Sequence, residues 1–268
     1  MKKIVTLLRY SKEFFKYGHF RFFFASIIYI FTKKSVSGTK ILKSSSGFFL
    51  NRKGSIDFQF GNFAYEWEVK KFYLKHFKDY NVFIDIGGNI GTYTIMLGNK
   101  GLRTITFEPS KENFRAITIN VLLNKLESNT TIFNVGLSDK AESGVLVWDP
   151  VNTGASHLEG IDTDEPETDK RGLKMAIELT TLDKMIPKMH LSQDDKILMK
   201  IDVEGMEINV IEGAIEFFKQ FPNILVVIES VHSGEEKLKN ALSKAAEFEF
   251  LPIDSLNFAA RKIKNNHQ

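Results

Sequence analysis

Residues 82–93 read VFIDIGGNIGTY: an apolar, β-branched run that ends beside an acid, then three glycines and an asparagine within five positions, then the start of a helically spaced segment. A strand buried on both faces that turns sharply into a helix fits this order. The run suits a covered strand, and Gly87, Gly88, Asn89 and Gly91 are the residue types that tolerate positive φ and let a ligand approach the backbone. At the carboxyl edge of an open α/β sheet, such a turn is where ligands bind.

The rest of the chain supplies that sheet. After Tyr80, short apolar runs alternate with longer segments of helical period, which predicts strands near Val82–Ile86, Arg103–Phe107, Thr130–Val135, Ile197–Ile201 and Ile224–Ile228, with helices near 90–99, 110–124, 207–220 and 234–246. Glu247–Pro252 and Asn257–Lys262 lie too close together for a helical crossover and should pair antiparallel. The expected fold is therefore α/β and Rossmann-like, a mostly parallel seven-stranded sheet closed by an antiparallel C-terminal hairpin. Upstream, residues 63–78 read as a helix and residues 47–60 as a β-hairpin turning at Asn51–Gly54. This divides the chain into a basic, aromatic extension of helix and hairpin over 1–62 and a main domain over 63–268. Between Trp148 and Ala176 the sequence is rich in Gly, Thr, Asp and Glu without regular period, which is read as a substrate lid.

The turn also narrows the ligand. Dinucleotide sites want G-x-G-x-x-G, whereas Asp85–Gly91 reads D-x-G-x-N-x-G. An acid at the strand end suits a ligand bearing an ammonium group rather than a pyrophosphate, and S-adenosylmethionine carries both an ammonium and a sulfonium. Glu108 ends the next strand 23 positions after Asp85, near the offset of ribose-binding acids, where a carboxylate accepts both hydroxyls of a diol. A lone strand-end Glu is often merely solvated, and a lone glycine turn is weak evidence. Their order and offset together favour a nucleoside.

Charge is distributed unevenly. The net +3 conceals nine Lys or Arg against Glu13 alone in residues 1–40, a local +8, so the remainder carries 3 − 8 = −5. A mildly acidic body argues against a nucleic-acid partner, and the absence of cysteine excludes disulfides, thiolate metal sites and a thiol nucleophile. The run Phe20–Phe31, FRFFFASIIYIF, is too short to span a bilayer. It fits equally a helix lying in a membrane surface, its lysines on anionic headgroups, and a helix packed on the protein's own body. The expected location is cytoplasmic, with peripheral contact at the inner face of the membrane through residues 1–40 as the first of these alternatives.

Over roughly residues 63–252 the sequence resembles the FkbM family of S-adenosylmethionine-dependent methyltransferases. The blocks that carry the resemblance are DIGGNIG at 85–91, FEPSKENF at 107–114, GLSD at 136–139, GAS at 154–156, TTLDKMI at 180–186 and KIDVEGMEINVIEGA at 200–214. The resemblance implies a class I methyltransferase fold, with Asp85, Gly87, Asn89 and Gly91 around the methionine part, Glu108 on the ribose and Ser138 and Asp139 beside the adenine. The family more often has Ala at the position of Gly88, a change that should loosen the turn. It further implies O-methylation of a sugar hydroxyl in a glycan, of a glycolipid or of a secondary metabolite.

Candidates for removing a proton from a hydroxyl acceptor gather at the ends of the fourth and fifth strands: Lys200, Asp202 and Glu204, then Glu229 and His232. Asp202, Glu229 and His232 form either a base cluster or the ligands of a hard divalent ion; the base cluster is preferred here and no metal ligand is assigned. His157 in the lid is a weaker candidate. The same groups also fit a purely structural ion-pair network. Two other functions compete, a cofactor-binding but inactive membrane-associated subunit and, lower, an RNA methyltransferase.

Overall fold

The structure, a computed structural model, describes residues 2–161 and 170–263. The chain opens with helices α1 (Lys2–Lys16) and α2 (Phe20–Thr32), then strands β1 (Lys40–Ser44) and β2 (Gly47–Asn51), which pair antiparallel, and helices α3 (Asp57–Phe60) and α4 (Trp67–His76). The hairpin thus turns at Ser45–Ser46, one strand earlier than the composition of Asn51–Gly54 suggested. Asn51 is fully buried and its side chain spans the next corner: Nδ2 donates to Gly38 O and Oδ1 accepts from the Phe58 amide, which sends residues 57–60 into a helix. Helix α4 starts four residues late because Asn62 closes a turn, its Oδ1 accepting from the Ala64 amide and its carbonyl from Tyr65.

The main domain follows as β3 (Val82–Ile86), α5 (Thr92–Gly98), β4 (Arg103–Phe107), α6 (Lys111–Leu123) and β5 (Thr130–Phe133). Next come the short strands β6 (Gly136–Leu137), β7 (Glu142–Trp148), β8 (His157–Leu158) and β9 (Leu173–Thr180), and helix α7 (Leu182–Met189). The chain closes with β10 (Ile197–Ile201), α8 (Glu207–Glu212), α9 (Ile215–Gln220), β11 (Ile224–Glu229), α10 (Glu235–Ala245), β12 (Phe248–Pro252) and β13 (Asn257–Lys262). The large sheet has the order β12-β13-β11-β10-β3-β4-β5, with β13 alone running against the rest. The chain reverses its direction of winding between β3 and β10, so a crevice opens at their carboxyl ends.

One face of this sheet packs Ile84, Ile105, Met199 and Val226 against α7 to α10; the other packs Phe83, Leu198 and Val227 beneath α4 and α5. The segment expected as a single helix over 207–220 is broken at Gly213. That residue lies so close to Ser138 that a Cβ would sit 2.0 Å from its carbonyl oxygen. Asp183 restarts the helix by accepting the amides of Glu216 and Phe217.

A four-stranded sheet in the order β6-β9-β7-β8 stands beside the crevice. Its strands enter the irregular loop expected over 148–176 only at Trp148, His157–Leu158 and residues 173–176, and residues 162–169 lie outside the described residues. A second hydrophobic cluster crosses the boundary drawn at residue 62, joining Phe14, Phe22, Tyr29, Phe49 and Phe58 to Ile90, Ile95, Ile117 and Val121. The apolar run of α2 therefore packs on the body on one of its sides.

Candidate active site

The turn after β3 has the conformation its residues suggested: Gly87, Asn89 and Gly91 lie at φ of 84°, 49° and 83°. The amides of Gly87 and Gly88 both donate to Phe107 O, which clamps the turn to the end of β4. Gly87 is required twice over, since a Cβ there would meet the Asp202 carbonyl oxygen at 1.8 Å. Gly88 has ordinary backbone geometry but no room: its Cβ would lie 2.4 Å from Cγ2 of Thr106.

Glu108 is nearly buried beside this turn. Its Oε2 accepts the Asn89 amide and its Oε1 the Ser110 amide, each at 2.8 Å. Burial pushes its carboxyl up to about 7 against the pull of these two donors. Both oxygens keep a lone pair for further donors.

A cleft of about 630 Å³ runs from this turn to the small sheet, with Gly87, Asn89, Glu108 and Asp202 at its polar end and Leu146, Leu158, Ile177 and Leu179 among its apolar walls. A second cavity of about 910 Å³ lies alongside, lined by Tyr29, Lys33, Gln59, Phe60, Tyr65 and Glu229 among others. Gly87, Asn89, Gly154, Asp202 and Glu204 line both.

Of the other expected site residues, His157 lines the cleft, whereas Asp85, Gly88, Gly91, Ser138, Asp139, Lys200 and His232 stand back from these walls. Asp85 is 2% exposed, and its Oδ2 accepts the backbone amide and the hydroxyl of Thr94, so it anchors α5 from behind the turn. Burial raises its carboxyl to about 6, opposed by Thr94 and Lys200. Gly88 and Gly91 shape the turn from beneath. Ser138 donates to Asp139, which accepts from Asn209; neither lines the cleft, whereas the adjacent Gly136 and Leu137 do.

Lys200 is buried under Tyr93, its ammonium bonded to Asp202 and 3.8 Å from Glu66. Burial alone would lower it, but the charges of Asp202 and Glu66 push it well above the ordinary lysine value. The charge of Asp202, together with burial, pushes Glu229 up to about 10. His232 reaches the cavities only through Glu204, its Nε2 2.9 Å from Glu204 Oε2. That bond raises the imidazole, and burial lifts Glu204 to about 7. Glu204 itself sits at φ of 50°, a left-handed backbone that non-glycine residues rarely adopt away from functional sites. Among the described residues, Glu204, Glu229 and His232, and likewise Glu66, Asp202 and Glu229, bring possible metal-ligand atoms within 4.8 Å of one another.

Several contributors were not foreseen. Glu66 accepts the Tyr93 hydroxyl at 2.5 Å. Arg52 grips Asp57 through two bonds and also donates to Asn113 Oδ1. Thr153 donates to Asp57 and Asn89, so the N-terminal extension braces the glycine turn. No motif marks Arg52 or Asp57; the sequence shows only that Asp57 is the one acid, five positions after Arg52 and four after Lys53, in the stretch GFFLNRKGSIDFQFG.

This sheet order, with the glycine turn and the acid of the second strand at its switch point, is the Rossmann-like class I methyltransferase fold. The chain belongs to the FkbM methyltransferase family, whose domain profile matches residues 85–256. Hexuronic acid methyltransferase AglP of Haloferax volcanii is 24% identical over 169 residues, 63% of either chain. Methyltransferase sdnD of Sordaria araneosa is 27% identical over 157 residues, 50% of this chain and 60% of that one. The chain thus spans less than two thirds of the length of these relatives. The FkbM methyltransferase of Methylobacillus flagellatus KT superposes with a TM-score of 0.47 and 16% identity, covering 69% of this chain and 44% of that chain.

Proposed function

We propose that this methyltransferase moves the methyl group of S-adenosylmethionine to a hydroxyl oxygen of a sugar, glycolipid or similar small acceptor. The observation that carries the proposal is the pair of cavities meeting at Gly87, Asn89, Gly154, Asp202 and Glu204. One is long and apolar-walled, with a carboxylate beside the glycine turn. The other is lined by acids, amides and tyrosine. Methyl transfer needs donor and acceptor held in line at one shared edge. The similarity to a hexuronic acid methyltransferase favours a sugar acceptor.

The residues fit S-adenosylmethionine. Glu108 has lone pairs for a ribose diol, Leu146, Ile177 and Leu179 offer an apolar slot for a purine, and Asp202 presents negative charge at the polar end. Bound there, the cofactor supplies an electrophilic methyl on a sulfonium. Asp85, which does not reach the cleft, positions the turn through Thr94.

On the acceptor side, Glu204 takes the hydroxyl proton as the oxygen attacks, and His232 holds its carboxylate in place. Lys200 keeps Asp202 oriented, and the protonated Glu229 donates to an acceptor oxygen. Lys200 places a positive charge among the same carboxylates that a divalent ion would need, so no step is assigned to a metal.

Calorimetric titration with S-adenosylmethionine and, in parallel, with NAD tests the reading, using Glu108→Ala and Asp202→Asn as controls. Selective binding that Glu108→Ala abolishes and Asp202→Asn weakens, with poor methyl transfer by Asp202→Asn at saturating cofactor in a parallel turnover assay, is expected. Preference for NAD, or no binding, overturns the proposal. Unimpaired turnover by Asp202→Asn removes Asp202 from the mechanism.

A further inference from the structure

Helix α2, FRFFFASIIYIFT, is apolar apart from Arg21, Ser26 and Thr32, yet the protein covers only one side of it. Phe22, Ala25, Ser26 and Tyr29 are buried. Phe20, Phe24, Ile28 and Phe31 remain 55%, 60%, 37% and 82% exposed. At 100° per residue these four fall within a stripe about 80° wide. Phe15 of α1, also exposed, extends it, its ring 5.4 Å from that of Phe20.

A helix this apolar is ordinarily enclosed by protein or lipid. Arg21 and Lys40, both exposed, line the groove at the edge of this stripe, and Lys33 and Lys34, also exposed, follow the helix's last turn, while Lys16 bonds Ser45. Glu13, the one acid among residues 1–40, is turned away onto Ser45. Between α2 and residues 36–40 runs a groove of about 1190 Å³ whose walls include Phe24, Ile28 and Val36 together with Arg21 and Lys40. No described helix is long and apolar enough to cross a membrane.

We propose that α2 and the end of α1 dock the protein on an anionic lipid surface, the phenylalanine stripe entering the headgroup boundary and the flanking basic residues meeting the phosphates. The chemistry selects this partner. An apolar stripe without acids, rimmed by cations, complements anionic lipid on both counts. A second copy would instead set one basic rim against another. Tyr29, on the opposite and buried side of the same helix, and Lys33, its C-cap, line the acceptor-side cavity, so docking holds that cavity one helix width from the headgroups. Lipid binding itself does not depend on the methyl-transfer reading.

Co-sedimentation of the full chain with vesicles of phosphatidylcholine alone, or mixed with phosphatidylglycerol, tests this. Binding to the mixed vesicles is expected, weakening as salt rises from about 0.1 M to about 0.5 M. The double variant Phe24→Ser with Phe31→Ser should bind at least about tenfold more weakly. Its circular dichroism and thermal midpoint should match those of the parent, since both side chains face solvent. Absence of vesicle binding at low salt overturns the proposal. So does binding that the double variant leaves unchanged, or sedimentation velocity showing that the stripe instead joins two copies.

Discussion

At the residue scale, the glycine turn makes a coupled prediction. Gly88 has backbone geometry open to alanine, but Thr106 Cγ2 occupies the space the new methyl would need. Gly88→Ala alone should therefore destabilise by about 1–3 kcal/mol through overpacking. Thr106→Ser removes that methyl and keeps the hydroxyl that bonds Thr94. The double variant should recover most of the loss, a coupling readable by urea unfolding of all four proteins; strictly additive losses would show that the two side chains do not compete. A second prediction concerns Glu204. With its carboxyl raised to about 7 by burial, a base there is protonated at low pH and charged above it, so turnover should climb as pH rises through about 7. Glu204→Gln should lower turnover about a hundredfold to ten-thousandfold and abolish that limb of the profile. A profile unchanged in the variant would assign the proton to another group. Residue types at the strand ends were legible because acids and glycines there have few other uses. Whether each lines the cleft or stands behind it was not, because Asp85 and His232 differ from Glu108 and Glu204 only in side-chain direction and in the partner each meets.

At the scale of elements, β2 shows how a short hairpin survives outside the main sheet. Asn120 of α6 accepts the Leu50 amide at 2.7 Å and donates to Ile90 O at 2.8 Å, while Asn124 exchanges bonds with the amide and carbonyl of Phe48. Two side chains thus act as a surrogate neighbouring strand and tie the hairpin to the glycine turn. Asn120→Ala leaves two backbone groups without these partners and should cost about 2–4 kcal/mol. It should also weaken S-adenosylmethionine binding, because Ile90 belongs to the turn. Equal affinity with reduced stability would separate the two roles. The main parallel strands were legible because Val82–Ile86, Ile197–Ile201 and Ile224–Glu229 are apolar apart from Asp85, Lys200 and Glu229 and are covered on both faces. The small sheet was not, although Leu173, Met175, Ile177 and Leu179 alternate with period two. Their alternation begins inside a polar, glycine-rich segment, and β9 finds its partner β7 across 24 intervening residues rather than a tight turn. The hairpin was displaced for a related reason: the composition of Asn51–Gly54 suits a turn, but the buried contacts of Asn51 and Arg52 use that corner to start a helix.

At the scale of the molecule, the extension and the main domain share one core. Ile90, Ile95, Ile117 and Val121, which sit on or beside the glycine turn and α6, pack against Phe14, Phe22, Phe49 and Phe58. Tyr29, Lys33, Gln59 and Phe60 from the extension line the acceptor-side cavity, and Arg52 and Asp57 brace Thr153 and thereby Asn89. Removing residues 1–62 would uncover a contiguous apolar surface and delete one wall of the cavity, and exposed patches of that kind drive association. A chain starting at residue 63 is expected to be recovered as aggregate, or to bind a hydrophobic dye and unfold without a cooperative transition. If it instead remains monomeric and unfolds cooperatively, the cofactor half folds alone and the extension acts on the acceptor side only. In that event it should keep its affinity for S-adenosylmethionine while losing methyl transfer, a separation that equilibrium titration and single-turnover measurements on the same preparation would reveal.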